Sequence, residues 1–347
     1  MTSPQAGPRQ GAAGADDRAF RRLALATIAA TFVLVVVGGI VRVSESGLGC
    51  GPAGSGLHGW PFCNGDIVPG VDLNSITEYS HRALAGVVGL MMASLALLAW
   101  RRHRAHRALV RASVAATVLV VAQALLGAAT VEQDLHEGLV AAHLGLAMAL
   151  LGLLIYVWRA ARPENVGSDP ADGGPRFRPL AVLSGGLAFC TIVAGGYMAG
   201  TQNYGRADYQ LGDGAHHACG KEFPTCNGDF MPFGQTRLVD IHLTHRAFVY
   251  LTTIAVVALI VMALRRRPGA GVVRGAWLAA GVLAAQLVVG ALNVWLDEYE
   301  ALIVLHLALG TLLWATLVGI ALQLFRIPEP VQSRTGDAPP EREALTA

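Results

Sequence analysis

Eight stretches of about 20 residues, each almost free of charge, constrain this chain more than any other feature of its sequence. A helix rises about 1.5 Å per residue, so about 20 apolar residues cover a hydrocarbon core roughly 30 Å thick. The stretches run over residues 22–43, 77–100, 109–131, 137–158, 180–199, 239–264, 272–296 and 300–325. They predict an all-α integral membrane protein with eight transmembrane helices. Only 14 % of the 347 residues are charged and 53 % are hydrophobic, which excludes the two or three soluble domains that the length would otherwise suggest. No small-residue cleavage site follows the first apolar run, so it reads as a retained span and not as a signal peptide. Very short connections make spans three and four, and seven and eight, antiparallel hairpins.

Charge gives the orientation. Twenty of the 26 Lys and Arg residues fall in the N-terminal tail, the connections after spans two, four and six, and the C-terminal tail; Arg101, Arg102, Arg104 and Arg107, then Arg265, Arg266 and Arg267, are examples. The positive-inside bias puts both termini in the cytoplasm and the long loops 44–76 and 200–238 on the opposite side. The 24 acidic residues nearly balance the basic ones, and no basic stripe is interleaved with aromatics, so no nucleic-acid partner is indicated. Residues 1–20 and 327–347, rich in Pro, Gly, Ala and charge, are expected to be disordered cytoplasmic tails.

The chain repeats itself at about 163 residues. Cys63-Asn64-Gly65-Asp66 returns as Cys226-Asn227-Gly228-Asp229, and Ser80-His81-Arg82 returns as Thr244-His245-Arg246. Gln123, Gly127, His143 and Gly145 line up with Gln286, Gly290, His306 and Ala308. Four spans per repeat make the copies parallel, related by an axis along the membrane normal. The expected architecture is two pseudo-symmetric four-helix bundles, residues 21–158 and 180–326, joined by a Pro-containing cytoplasmic linker over 159–179.

Ionisable groups inside lipid are costly and are functional candidates by default. His81, His143, His245 and His306 come from the second and fourth span of each repeat and share one depth, near the outer face. Facing imidazoles in a four-helix bundle can ligate a haem iron from both sides. The plainer use is a hydrogen bond to a neighbouring helix, and zinc is a further alternative, although no Cys-x-x-Cys or His-x-x-x-His pattern accompanies the four. Glu78 lies three residues before His81, on the same helix face, where it could serve as base, proton relay or cation stabiliser; it could also merely cap the helix. The aligned residue of the second copy is His242, so only one of the two candidate sites carries a carboxylate. Arg82 and Arg246 follow the histidines and could meet haem propionates or snorkel to lipid phosphate.

Cys50 and Cys63 lie in the first outer loop, and Cys219 and Cys226 in the second. An oxidising compartment and the paired spacing favour two disulfides, the first stabilising its loop by about 3 kcal/mol in the chain-entropy account; a redox-active pair is the alternative. Cys190, in the fifth span, reads as a packing residue. His58, His136, His216 and His217 follow no repeat-wide pattern and read as solvated or loop-structuring, while His103 and His106 belong to the cytoplasmic arginine cluster.

These residues together resemble the haem A synthase family, bacterial membrane enzymes that convert haem O to haem A for terminal oxidases. The resemblance spans roughly residues 22–325. It rests on Gly-Leu-Gly-Cys ending at Cys50, Trp60-Pro61-Phe62-Cys63-Asn64-Gly65, Glu78-Tyr79-Ser80-His81-Arg82, His143-Leu144-Gly145, Thr244-His245-Arg246 and His306-Leu307-Ala308, in this order within a duplicated eight-span chain. It implies a multi-pass protein of the bacterial cell membrane with its Cys-containing loops outside the cytoplasm. It also implies haem O as substrate between His81 and His143, and a haem b cofactor on His245 and His306. The implied reaction oxidises the porphyrin C8 methyl to a formyl group in two steps, through an alcohol and a hydrated aldehyde, with Glu78 as the essential acidic residue. Implied partners are a haem O synthase and an electron acceptor. The twelve residues between Cys50 and Cys63 exceed the compact spacing usual in the family. Two other classes remain open from the residues alone: a two-haem cytochrome that only passes electrons, and a haem carrier without chemistry.

Overall fold

The computed structural model describes residues 8–201, 214–296 and 299–330. Its eight long helices are α1 (Pro8–Val43), α2 (Leu73–Arg102), α3 (Arg107–Glu132), α4 (Glu137–Ala160), α5 (Phe177–Gly200), α6 (Arg237–Arg266), α7 (Ala270–Trp295) and α8 (Glu300–Leu322). All eight contain segments long and apolar enough to cross a membrane. Their outward faces carry large apolar side chains such as Leu90, Val118 and Ile254, each more than 60 % exposed. A surface of that kind requires lipid around it, and the chain is a multi-pass membrane protein.

Two helix starts show why the elements begin earlier than the apolar runs do. Asp72 caps α2 by accepting the Ser75 N–H (3.0 Å), and Thr236 caps α6 by accepting the Val239 N–H (3.2 Å). Capping at these positions draws a polar first turn into each helix. The tail boundaries also shift. Residues 8–20, expected in the N-terminal tail, lie within α1, an extension their many alanines favour, and Phe20 is buried and meets the His103 ring edge-on at 5.2 Å. At the other end Ile327 is buried and bridges Val166. Tail residues 1–7 and 331–347 lie outside the described residues.

Within each half the helices pack in a closed ring: α1 on α2, α2 on α3, α3 on α4 and α4 on α1, and likewise α5 to α8. The halves meet through α4 with α5, α1 with α8 and α4 with α8. Small residues permit this close approach. Gly196 faces Leu144, Gly200 lies against the Glu137 backbone, and the Trp314 indole N–H donates to the Met148 carbonyl (3.0 Å). Arg237 pairs with Glu137 at 2.5 Å across the same junction, though at 65 % exposure of the arginine such a pair contributes at most about 1 kcal/mol.

Each ring has one large buried apolar cluster, and both sit toward the same end; a smaller one, Cys219, Cys226, Val239 and Leu243, packs the second long loop onto α6 near the histidine level. In the first half it includes Val88, Met92, Leu95, Leu109, Leu150 and Leu154; in the second, Val256, Leu259, Leu283, Leu313, Leu317 and Ile320. On α2, α4 and α8 the fully buried members begin seven residues beyond the histidine. Seven residues are about 10 Å of helix. The core therefore holds each ring together at one end and leaves the histidine level to other interactions.

The linker and the exit of α8 are zipped together at the end opposite the histidines. Gly167 N–H donates to the Ile327 carbonyl (3.0 Å) and Ala171 N–H to the Gln323 carbonyl (2.9 Å). His106, buried in the turn between α2 and α3, donates from Nε2 to the Pro328 carbonyl (3.0 Å). Burial, partly offset by that bond and reinforced by His103, holds its pKa below the ordinary 6.5. The undocked state then binds the proton more readily, so docking is strongest above about pH 6.5 and weakens as the pH falls below it. Exchange of the Gly167 amide, corrected for intrinsic rates, is expected to be faster at about pH 5.5 than at about pH 7.5. His106→Gln should remove that difference; an unchanged profile in the variant would assign the pH dependence elsewhere.

Candidate functional site

The repeated Cys-Asn-Gly-Asp motif builds the same turn in both outer loops. Asn64 and Gly65 have φ of 54° and 88°, Asn227 and Gly228 of 51° and 88°. This is the backbone that an Asn-Gly pair favours in a tight two-residue turn. Cys63 and Asp66 exchange both backbone hydrogen bonds, as do Cys226 and Asp229. The turns bring the cysteines into the pairs expected from their spacing, Cys50–Cys63 and Cys219–Cys226. Cys190 is exposed on α5, not packed within the bundle.

The arginines that follow His81 and His245 each clamp the long loop before their helix. Arg82 donates to the Gly59 carbonyl (2.6 Å) and the Phe62 carbonyl (2.9 Å); Arg246 donates to the Glu222 and Thr225 carbonyls (2.8 Å each). The acceptors are equivalent residues of the two copies. A guanidinium presents several donors in a fixed fork, and loop carbonyls, not propionates, are the partners that the structure gives both residues.

Glu78 and His242 also tie helix to loop, in opposite senses. Glu78 is 3 % exposed; one carboxylate oxygen accepts the Cys50 N–H (2.8 Å) and the other pairs with Arg82. Since Asp72 caps α2, Glu78 is not the helix cap. Both partners are hydrogen-bond donors, one a backbone N–H and one a guanidinium. His242 is likewise buried, but it donates, from Nδ1 to the Ala215 carbonyl (2.7 Å). His216, on the short 3-10 turn Ala215–Cys219, is not a solvated loop residue. Burial, with His242 and His245 nearby, holds its imidazole well below the usual histidine range, hence neutral.

The four histidines project from α2, α4, α6 and α8 and are partly buried. His81 and His143 lie within electrostatic range of one another in the first half, and His245 and His306 in the second. Each ring lies against a glycine of the preceding helix: Gly38 for His81, Gly127 for His143, Gly195 for His245 and Gly290 for His306. His245 Nδ1 donates to the Thr191 carbonyl (3.1 Å), a bond that fixes the tautomer and leaves the Nε2 lone pair for a metal. His81, His143 and His306 each have a buried Nδ1 without a hydrogen-bond partner.

Each repeat also supplies a glutamine. Gln123 Nε2 donates to the His143 carbonyl (2.8 Å), whereas Gln286 Nε2 faces His306 Nε2 at 3.2 Å. Metal ligation at His306 Nε2 must displace that amide, at a cost of about 1 kcal/mol for one neutral hydrogen bond. Among the described residues no group of three or more His, Cys, Asp or Glu could hold a bare metal ion. Two open cavities, of about 1000 and 400 Å³, lie elsewhere, one at the linker and one between α5 and α6 beside Tyr197 and Arg237.

The sequence had pointed to the histidines, Glu78 and the cysteines. Gly38 and Gly195 carry no signal in the sequence repeat, Gly127 and Gly290 stand there only as matched positions and not as ring contacts, and the loop-clamping use of the arginines is not visible in it. The sequence model of the COX15-CtaA family, described as cytochrome oxidase assembly protein, matches residues 71–318, from the approach to α2 well into α8. A heme A synthase of Halalkalibacterium halodurans is 29 % identical over 238 residues, covering 67 % of this chain and 72 % of its own. A heme A synthase of Bacillus cereus is 26 % identical over 308 residues, covering 86 % and 91 %. A match of that extent, running through three of the four histidine helices in full and through His306 on the fourth, means that the chain belongs to the COX15-CtaA family of cytochrome oxidase assembly proteins.

Proposed function

We propose that this protein is a haem A synthase, an oxidoreductase that converts the C8 methyl of haem O to a formyl group in the bacterial cell membrane. The observation that carries the reading is the asymmetry between otherwise matched halves. Both present a pair of imidazoles at one level, but only the first sets a buried carboxylate beside its pair. Its family relatives are heme A synthases over most of their length.

The residues present fit a haem held by two imidazoles in each half. Glycine rather than a larger residue meets every imidazole, three Nδ1 atoms lack protein partners, and the large buried apolar cluster of each half begins seven residues beyond the histidine on α2, α4 and α8. In this reading His81 and His143 hold the substrate haem O, and His245 and His306 hold a haem b, which when bound supplies one-electron transfer. Glu78 lies on the helix of His81, next to the substrate in this reading, where its carboxylate would stabilise positive charge on the oxidised carbon or take up a proton. Arg82 fixes that carboxylate and binds the loop carbonyls at the same time, so the first outer loop and Glu78 move as one unit. In the second half the neutral His242 replaces the carboxylate, which suits electron transfer without chemistry on the porphyrin.

The two rings of helices, the 163-residue repeat and the matched loop turns support two pseudo-symmetric bundles, 21–158 and 180–326, joined by the linker 159–179. The arginine distribution supports cytoplasmic termini and extracytoplasmic Cys-containing loops. A haem O synthase as donor of substrate and a separate electron acceptor complete the proposal. Pigment extraction from the protein expressed with a haem O source tests it: haem A and its hydroxylated precursor are expected. A folded, haem-loaded protein yielding neither would leave an electron-transfer cytochrome or a haem carrier as its function.

A further inference from the structure

The four candidate ligand rings share one kind of packing partner at almost one distance. A Cβ built on Gly38, Gly127 or Gly195 would lie 3.0 Å from Cε1 of His81, His143 or His245, and one on Gly290 would lie 2.9 Å from Cε1 of His306. We propose that Gly38, Gly127, Gly195 and Gly290 are positioning residues that set the place of the four imidazoles and thereby decide whether each half retains its haem. The proposal rests on the haem reading above and deepens it.

The argument is one of distances. Two carbon atoms sit comfortably about 3.5–4.0 Å apart, so an alanine methyl would drive each ring away by about a few tenths of an ångström. A metal–ligand bond tolerates about 0.2 Å. Nor is every ring at liberty to follow: His245 is tied to the Thr191 carbonyl, and His306 faces Gln286. General helix packing does not account for these glycines. The adjacent Gly39 and Gly196 face Leu307 and Leu144 across the junction between halves, while Gly38 and Gly195 face histidines. Gly89, Gly186 and Gly281, in α2, α5 and α7, meet nothing within 4 Å. Glycine is disfavoured in a helix interior, so four of them at four ring edges point to a steric requirement of the rings.

The test uses the purified holoprotein. Gly195→Ala and Gly290→Ala are expected to weaken haem b retention about 10- to 100-fold, as losing an outer support of a metal ligand does, or to shift the low-spin ferric EPR signal. Gly38→Ala and Gly127→Ala should keep the haem b spectrum, which reports folding, and bind added haem O correspondingly more weakly in a spectral titration. That titration in turn reports folding for the Gly195 and Gly290 variants. Gly89→Ala, Gly186→Ala and Gly281→Ala should match the parent protein. Wild-type binding and unshifted EPR signals in the four ring-contact variants would overturn the proposal. If His245→Ala and His306→Ala retain haem b, it is the ligand assignment itself that fails, whatever the glycine variants do.

Discussion

Replacing His245 or His306 with alanine is expected to empty the C-terminal half of haem b and to remove the stable haem spectrum of the purified protein. Each substitution would delete one of the two imidazoles that would hold the haem. The loss should exceed the roughly 10- to 100-fold that removing only an outer hydrogen-bond partner of a ligand costs. The two variants should differ in a second respect. His245→Ala also strands the Thr191 carbonyl, at a cost of about 1–3 kcal/mol to the fold. His306→Ala strands only the Gln286 amide nitrogen, beside an Oε1 that already lacks a partner. His81→Ala serves as the control, since it lies in the other half and should leave the haem b spectrum in place. Haem content per protein with an optical spectrum of each variant decides the matter; full occupancy in His306→Ala would remove that residue from the ligand set.

The apolar runs made the eight helices legible because lipid imposes a length that sequence displays directly, but the ends were less so. The N-caps Asp72 and Thr236 bring polar first turns into α2 and α6, and polar residues do not register in an apolar run. Duplication made the histidines legible, since a residue placed twice at one depth is hard to assign to chance. It also hid something. Gly127 and Gly290 stand 163 residues apart like the histidines they touch, whereas Gly38 and Gly195 stand 157 apart. The connection from α5 to α6 is longer than that from α1 to α2, so the offset that aligned the later helices misaligned the first ones. A search for the repeat on each side of the outer loops separately would have found them. The use of Arg82 and Arg246 was not legible at all. Their acceptors lie 20 to 24 residues upstream in loops whose path depends on the Asn-Gly turns and the disulfides, so a carbonyl cluster forms only after the chain has folded. His216 escaped for a similar reason: it belongs to an irregular loop, and only packing against His242 takes it out of water.

Glu78→Gln is expected to abolish conversion of haem O while leaving haem b bound and the first outer loop in place. The amide keeps the length of the side chain and one carbonyl oxygen, enough to accept the Cys50 N–H. What it loses is charge and the capacity to take up a proton. Removing a positioned acid or base typically costs about 10²- to 10⁴-fold in rate, and an electrostatic stabiliser of a developing cation costs a similar amount. Glu78→Ala is the less informative change. It strands the buried Cys50 N–H and leaves Arg82, itself only 15 % exposed, with loop carbonyls alone, so a loss of activity would mix chemistry with a displaced loop. The comparison separates the two roles. If Glu78→Gln converts haem O normally and Glu78→Ala does not, the carboxylate only holds the loop and the chemistry belongs to other groups. If both fail with an intact haem b spectrum, charge beside the substrate is the requirement. Product analysis then locates the step: accumulation of the hydroxylated precursor assigns Glu78 to the second oxidation, and unconverted haem O assigns it to the first.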